Sequence, residues 1–495
     1  MTRSWRGGMR CCRDARAIDD RLTGVLRAAQ IEDGQRDGVL TLAGATNPGS
    51  QGPALREALA RSGRSAPPTD LKQVRDWWRA LPGWLQQSLL VEDPARWGNL
   101  NGVPAKDRDV ANRISLARDL ERGRAWFEAR GKKMPTTKKE YDAFVKSEVE
   151  AARELGPLRN AIAMNSFLTG DSDKKNSLLY AYEPSQYEGR GRAAVAFGDP
   201  DTAHHVAVCV PGLGSQVSKI DEVGGDAAAL YEASKRADPT HDRAVIAWQG
   251  YDAPQLGVED PLGVAHQDKA LAGAHLLNRD VSAIAATRAG AGKLTVVGHS
   301  YGSTTTGLAL QRDGMGARID QAVLLGSPGV GGSAKTVADL GMSGDRVFVG
   351  SASRDLVTTG FQYLGHDPAN EDFGATRFDA ESPDRKPAGA SLQDHSRYYE
   401  RVSEPAKPDQ DKTGEASGST GAGSKGQKQI EKYSESLYSM GMIATGRGGE
   451  LEGEGLTAPG RKTHVVSTPH GGFTSSIDPE WQRHPERYKF KEPAR

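Results

Sequence analysis

The sequence predicts a doubly wound, mostly parallel α/β sheet with an antiparallel edge, preceded by a helical layer. Three observations predict it. Short unbroken apolar runs recur at Val206–Val210, Ala244–Trp248, Leu294–Val297, Ala322–Leu325 and Val347–Val349, as strands covered on both faces require. Helical stretches separate several of them, at Ala227–Arg236, Asp268–Arg288 and Ser303–Arg312, which is the rhythm of parallel strands joined by crossover helices. Ahead of these, Ser177–Tyr182 and Arg192–Phe197 flank a Pro-, Gly- and Arg-containing connection and read as an antiparallel hairpin.

Residues 1 to about 65 mix charge with Gly, Ser and Pro around one short helical stretch near Asp19–Gln30, and Arg61–Pro68 reads as a linker. From Thr69 the texture changes. Four of the eight tryptophans, Trp77, Trp78, Trp84 and Trp97, fall among leucines and predict a packed helical core. Val110, Ile114, Ala117 and Leu120 keep helical spacing, and Thr137-x-x-Glu140 forms a capping box ahead of Tyr141, Phe144, Val145, Val149 and Ala152. Four units follow: a variable segment and linker (1–68), a helical region (69–170), the sheet domain (171–447, with a flexible insertion at about 404–428) and a C-terminal tail (448–495).

Composition excludes several functions. Lys plus Arg and Asp plus Glu are 64 each, so no long-range field favours nucleic acid or an anionic membrane. No apolar run has the length of a membrane span, and the basic start is not followed by the apolar core of a secretory signal. The expected location is cytoplasmic. Of the three cysteines, Cys11 and Cys12 are adjacent and Cys209 lies inside an apolar run, so neither a disulfide framework nor a metal-ligand spacing is present.

In an open α/β sheet the functional residues sit beyond the carboxyl ends of the strands. Directly after Leu294–Val297 comes Gly298-His-Ser-Tyr-Gly302, then a helix. With 59 glycines in the chain the pattern G-x-S-x-G is weak by itself, and its strand-to-helix context carries the inference. Gly298 and Gly302 are the small residues that a sharp elbow under Ser300 needs, and the following helix turns its N-terminal N–H groups toward the serine. A serine nucleophile requires a base held by a carboxylate. Asp355 follows the Val347–Val349 strand, and His395 follows a last strand read at Phe373–Phe378, which completes the order Ser, Asp, His. Rivals for the two partners are Asp345, His366, Asp367, Asp394, His464 and His470. His299 and Tyr301 read as packing or pocket wall. The oxyanion hole takes one N–H from Tyr301 and a second from the loop Pro211-Gly-Leu-Gly214. Proline has no N–H, so the second donor is Gly212, Leu213 or Gly214, with Leu213 chosen.

Taken together, Pro211–Ser215, Ala247–Pro254, Gly298–Ser303, Gly326-Ser-Pro-Gly329, Asp367-Pro with Phe373-Gly-Ala375, and His395-Ser-x-Tyr resemble the actinobacterial α/β-hydrolase family catalogued as a domain of unknown function. Trp77-Trp, Gly98–Pro104 and Arg108–Arg113 are similar to its upstream helical segment, and Ser434–Gly446 to its closing helix. The resemblance covers roughly residues 70 to 447. It implies an α/β-hydrolase fold, a Ser300–Asp355–His395 triad, no cofactor and a helical region that packs on or caps the hydrolase. Family members often carry a longer helical front resembling type VII secretion substrates, whereas the N-terminal stretch here shows no helical hairpin with a W-x-G turn. The expected activity is serine hydrolysis of a small-molecule acyl ester or related bond. The competing expectation is a non-catalytic binding or exported surface scaffold on the same fold.

Overall fold

A computed structural model of the chain describes residues 67–148, 155–170, 177–255, 266–312, 314–360, 364–382, 392–405, 429–468 and 471–490. The expected helix near Asp19–Gln30, most of the linker, Val149 and Ala152, the Gly/Ser-rich stretch from 406 to 428, and His470 lie outside them.

Eight strands form the main sheet: β1 (Ser177–Glu183), β2 (Arg192–Phe197), β3 (His205–Val210), β4 (Arg243–Gln249), β5 (Leu294–His299), β6 (Gln321–Leu325), β7 (Val347–Gly350) and β8 (Thr376–Phe378). Their order is β1-β2-β4-β3-β5-β6-β7-β8. β2 runs antiparallel to both β1 and β4, and every other pairing is parallel. The predicted hairpin edge and the five apolar runs therefore all become strands. The last strand is shorter than expected: Glu371–Phe373 is one turn of 3₁₀ helix, Gly374 follows at φ 80°, and pairing begins only at Thr376.

Side-chain alternation divides the core between the two faces of the sheet. On β3, Ala207 and Cys209 face one cluster and Val206, Val208 and Val210 the other. The helical region contributes α1 (Leu71–Arg79), α2 (Gly83–Glu92), α3 (Pro94–Asn99), α4 (Ala105–Glu128), α5 (Lys138–Ser147) and α6 (Gly156–Leu168). The crossovers are α7 (Ile220–Ala237), α8 (Asp268–Thr287) and α9 (Tyr301–Leu310), and α10 (Glu435–Ala444) closes the first face. No described helix is long and apolar enough to cross a membrane.

The tryptophan-rich layer is core: Trp77 stacks on Trp97 with centroids 5.9 Å apart, and Trp78 Nε1 donates to Asp107 at 2.7 Å. The capping box at Thr137 and Glu140 forms as its spacing predicts. α4 departs from its expected apolar stripe, because Ala117 is exposed while Arg108, Asp109 and Asn112 are buried. Those polar groups meet the backbone of the edge strand: Asn112 Nδ2 donates to the Leu179 carbonyl at 2.9 Å and Asp109 accepts the Leu179 N–H at 2.6 Å. The helical region thereby covers β1, an edge that would otherwise offer unpaired backbone to another chain.

Beyond α10 the chain does not leave the body. Leu451 and Leu456 are buried in the first core, and an antiparallel hairpin, β11 (Lys462–Thr468) with β12 (Gly471–Ile477), follows a further pair, β9 (Arg401–Pro405) with β10 (Gln429–Tyr433). Arg461 and Asp478, at the base of that last hairpin, are fully buried among polar partners behind β7 and β8.

Candidate active site

Ser300 stands between β5 and α9 at φ 58° and ψ −131°. A positive φ at a residue with a Cβ is a strained conformation, of the order of 1–3 kcal/mol, held only where the surroundings over-determine it. Here the surroundings do so: the Ser300 N–H donates to Leu325 at 2.8 Å, and its carbonyl accepts the N–H and the hydroxyl of Ser303 at 2.9 and 2.6 Å. The flanking glycines permit the turn. A Cβ on Gly302 would lie 2.3 Å from the Val210 carbonyl, and one on Gly298 would lie 2.7 Å from that of Gly302.

Asp355 follows β7, and His395 ends a one-turn helix, Leu392–His395. His395 Nδ1 and Asp355 Oδ2 are 2.8 Å apart. The aspartate is fully buried and its other contacts are donors: the Tyr398 hydroxyl at 2.8 Å to Oδ2 and the Val357 N–H at 2.9 Å to Oδ1. Burial alone would raise this carboxyl; the hydrogen bond and charge of His395, with the bonds from Tyr398 and Val357, outweigh it and hold the group below its ordinary range. A carboxylate so engaged orients an imidazole and fixes its proton on Nδ1, which leaves Nε2 for a reacting group.

The His395 ring lies against Gly326, where an added Cβ would be 2.9 Å from Nδ1; Gly326 directly follows Leu325, the acceptor of the Ser300 N–H. Serine and histidine are thus brought to the same strand ends. Among the described residues no hydrogen bond joins their side chains.

The loop after β3 closes the other side. A Cβ on Gly212 would lie 2.7 Å from Ser300 Cβ and 3.0 Å from the Tyr301 nitrogen, so this backbone touches the elbow itself. The Tyr251 hydroxyl donates to the Pro211 carbonyl at 2.7 Å and the Gly214 N–H to the Pro254 carbonyl at 2.8 Å. Gly214 is thereby committed elsewhere. Among the described residues no acceptor takes the N–H of Gly212 or Leu213. Tyr301 opens α9, with its side chain buried and its hydroxyl turned to the backbone of His266 and Ala270, so only its N–H faces the elbow. Replacing Gly212 with alanine is expected to displace Ser300 or the loop and to cost on the order of 100-fold in kcat, as sub-ångström to 1 Å misplacements do; steady-state kinetics beside an unchanged melting temperature check it.

Three of the rivals have partners of their own. His366 Nε2 pairs with Asp372 at 3.1 Å, Asp367 with Arg461 at 3.2 Å, and exposed Asp345 with Ser343. Asp394 is buried on the short helix before His395, and His464 lies on β11. His299 is more than wall. Burial and the neighbouring His395 push it down to about 4, so it stays neutral, and its Nε2 donates to the His395 carbonyl at 2.8 Å. Sequence reading misses Arg461, and it registers Tyr398 only as the tyrosine of the His395-Ser-x-Tyr motif, without its bond to Asp355.

Residues 187–365 match the α/β-hydrolase family model. An uncharacterized protein of Mycobacterium tuberculosis, Rv2079, is 36% identical over 449 residues, covering 85% of this chain and 64% of its own. This chain therefore spans about 64% of the length of that relative. Another uncharacterized protein, Mb0988c of Mycobacterium bovis, is 43% identical over 145 residues, covering 28% of this chain and 52% of its own. Among solved structures, Trichoderma reesei cutinase in complex with a phosphonate inhibitor matches at 16% identity and TM-score 0.24, over 44% of this chain and 85% of that one. Esterase Est22 matches at 13% identity and TM-score 0.22, over 46% and 65%. Likeness at these levels speaks to neither substrate nor mechanism. The sheet order and the match across residues 187–365 give this chain the α/β-hydrolase fold, and it is similar in sequence to uncharacterized mycobacterial proteins.

Proposed function

We propose that this protein is a serine hydrolase that cleaves acyl esters or related acyl bonds through an acyl-enzyme. The observation that carries the reading is a strained Ser300 at the strand ends where a buried, charged Asp355 holds His395 by its Nδ1. Ser300 Oγ attacks the carbonyl carbon while His395 Nε2 takes the hydroxyl proton. The proton then passes to the leaving alkoxide, and the serine ester that remains is hydrolysed by a water that His395 deprotonates in turn. Asp355 keeps the imidazole tautomer and stabilises its charged form. The N–H groups of Tyr301 and Leu213 meet the oxyanion, each worth on the order of 3 kcal/mol of barrier. Hydrogen bonds of this kind are often long in substrate-free enzymes and tighten once substrate is bound. No cofactor enters this sequence, and the partner is a small acyl substrate.

A fluorophosphonate probe tests the reading on the full chain. The expected result is a single adduct that peptide mass spectrometry maps to Ser300, followed by turnover of one or more acyl esters in a series of graded chain length. An adduct elsewhere, or none, overturns it in favour of a non-catalytic scaffold.

His299 provides a finer check. Its N–H secures the backbone of the general base and its ring packs against the His395 ring, centroids 4.9 Å apart, so it acts through that base as a positioning residue. Because one neutral hydrogen bond contributes about 0.5–1.5 kcal/mol, His299→Phe is expected to lower kcat up to about tenfold with KM little changed. His299→Gln, which keeps an N–H of similar reach, should recover most of that loss.

A further inference from the structure

A second group of histidines lies at the opposite end of the sheet from Ser300, where β3 and β4 begin. His204 and His205 enter β3, and His241 sits in the turn between α7 and β4. Each of the three has a ring nitrogen within 4.8 Å of the others. The rings of His204 and His241 stack with centroids 4.3 Å apart and planes 21° from parallel.

The hydrogen bonds determine which nitrogens are available. Asp238, which caps α7, accepts the Thr240 N–H at 2.9 Å and the Thr240 hydroxyl at 2.6 Å. The same carboxylate lies 2.7 Å from His241 Nδ1, and the Thr240 oxygen lies 3.0 Å from it. Both neighbours of that nitrogen are therefore acceptors, so the proton sits on Nδ1 and the Nε2 lone pair is left open. A carboxylate behind an imidazole in this way is the usual support of a metal-bound histidine. His205 is committed differently. Its Nδ1 accepts the Lys293 N–H at 3.1 Å, which puts the ring proton on Nε2, 3.4 Å from Asp238. It helps to hold the carboxylate and has no lone pair to give. The half-buried His204 ring packs on Gly292, and among the described residues nothing hydrogen-bonds its nitrogens.

We propose that His204 and His241 Nε2 form the protein ligands of a divalent late transition-metal site, with Asp238 and His205 as its supporting shell and water completing the coordination. Imidazole nitrogen suits Zn²⁺, Cu²⁺ and Ni²⁺, whereas Mg²⁺ and Ca²⁺ favour oxygen. Stacked rings point their lone pairs along offset planes, so zinc–nitrogen bonds of about 2.0–2.1 Å require the half-buried His204 ring to rotate out of the stack until both lone pairs meet at one ion. The site stands apart from the proposed hydrolysis and does not depend on it.

The test is Zn²⁺ titration by calorimetry on the full chain without an affinity tag, in a Cys11→Ser/Cys12→Ser background that removes the competing thiols. The third cysteine, Cys209, is buried. One Zn²⁺ per chain is expected, with a rise in melting temperature. His204→Ala and His241→Ala should each weaken binding by at least about tenfold and abolish that rise. Asp238→Asn should weaken it by about 10–100-fold. The exposed His275 on α8 gives the control, and His275→Ala should bind like the parent. The metal-free melting temperature of each variant is read first, and His204→Gln replaces His204→Ala if the latter is unstable. Absence of stoichiometric binding in the parent, or parent-like binding by the His204 and His241 variants, overturns the site.

Discussion

Ser300→Ala is expected to abolish fluorophosphonate labelling and to reduce kcat by roughly 10⁵-fold or more on any acyl ester that the protein turns over, the scale on which triad serines fail when removed. The effect is this large because the hydroxyl supplies the bond-forming electrons and nothing near it substitutes for them. The same position carries a second signature. At φ 58° and ψ −131° a Cβ is strained, so Ser300→Gly should be as inactive as the alanine variant yet more stable, by about 1–2 kcal/mol. Urea unfolding of the two variants side by side measures that difference. Equal stability would mean that the elbow is relaxed, and residual turnover within tenfold of the parent would remove Ser300 from the chemistry.

Arg461→Ala is expected to cost about 3–5 kcal/mol of stability, the cost of leaving buried charges without their partner. Its Nε bonds Asp478 at 2.6 Å and its Nη1 bonds Asp367 at 3.2 Å, all three residues being almost fully buried. Arg377 also holds Asp478, at 2.8 Å. The consequence reaches the loop of Asp355. Arg461 donates to the Thr358 carbonyl and hydroxyl oxygen at 3.0 Å each, and the Thr358 hydroxyl donates to the Asp355 carbonyl at 3.1 Å. Weakened labelling of Ser300 should therefore accompany the shift in the urea midpoint. A midpoint change equivalent to less than about 1 kcal/mol would show that the remaining contacts carry the hairpin without it.

The parallel strands were legible because a strand buried on both faces has to be apolar throughout, and β3 to β7 are short runs of that kind bounded by turns. The elbow was legible for a related reason: only glycine tolerates the approach of Gly302 to the β3 carbonyls, so the requirement is written in one local stretch. α4 was legible as a helix, but not the polar part of its buried side: Asp109 and Asn112 satisfy the backbone of β1, and no helical period announces a partner that lies some seventy residues further on. The Thr376 start of β8 was obscured by Phe373, whose side chain is core while its backbone turns.

The sequence by itself determined the fold class and offered, at the carboxyl ends of the strands, a serine, an aspartate and a histidine in order as candidates. Each of these depends on periodicity or on residue type within a few positions. Only the tertiary structure decided that Tyr398 and His299 support the Asp355–His395 pair, that Gly214 has lost its N–H to Pro254, and that Arg461, from beyond the closing helix, braces the loop of Asp355. Those outcomes rest on hydrogen bonds and buried charges between distant segments. Their geometry exists only after the sheet has brought the segments together.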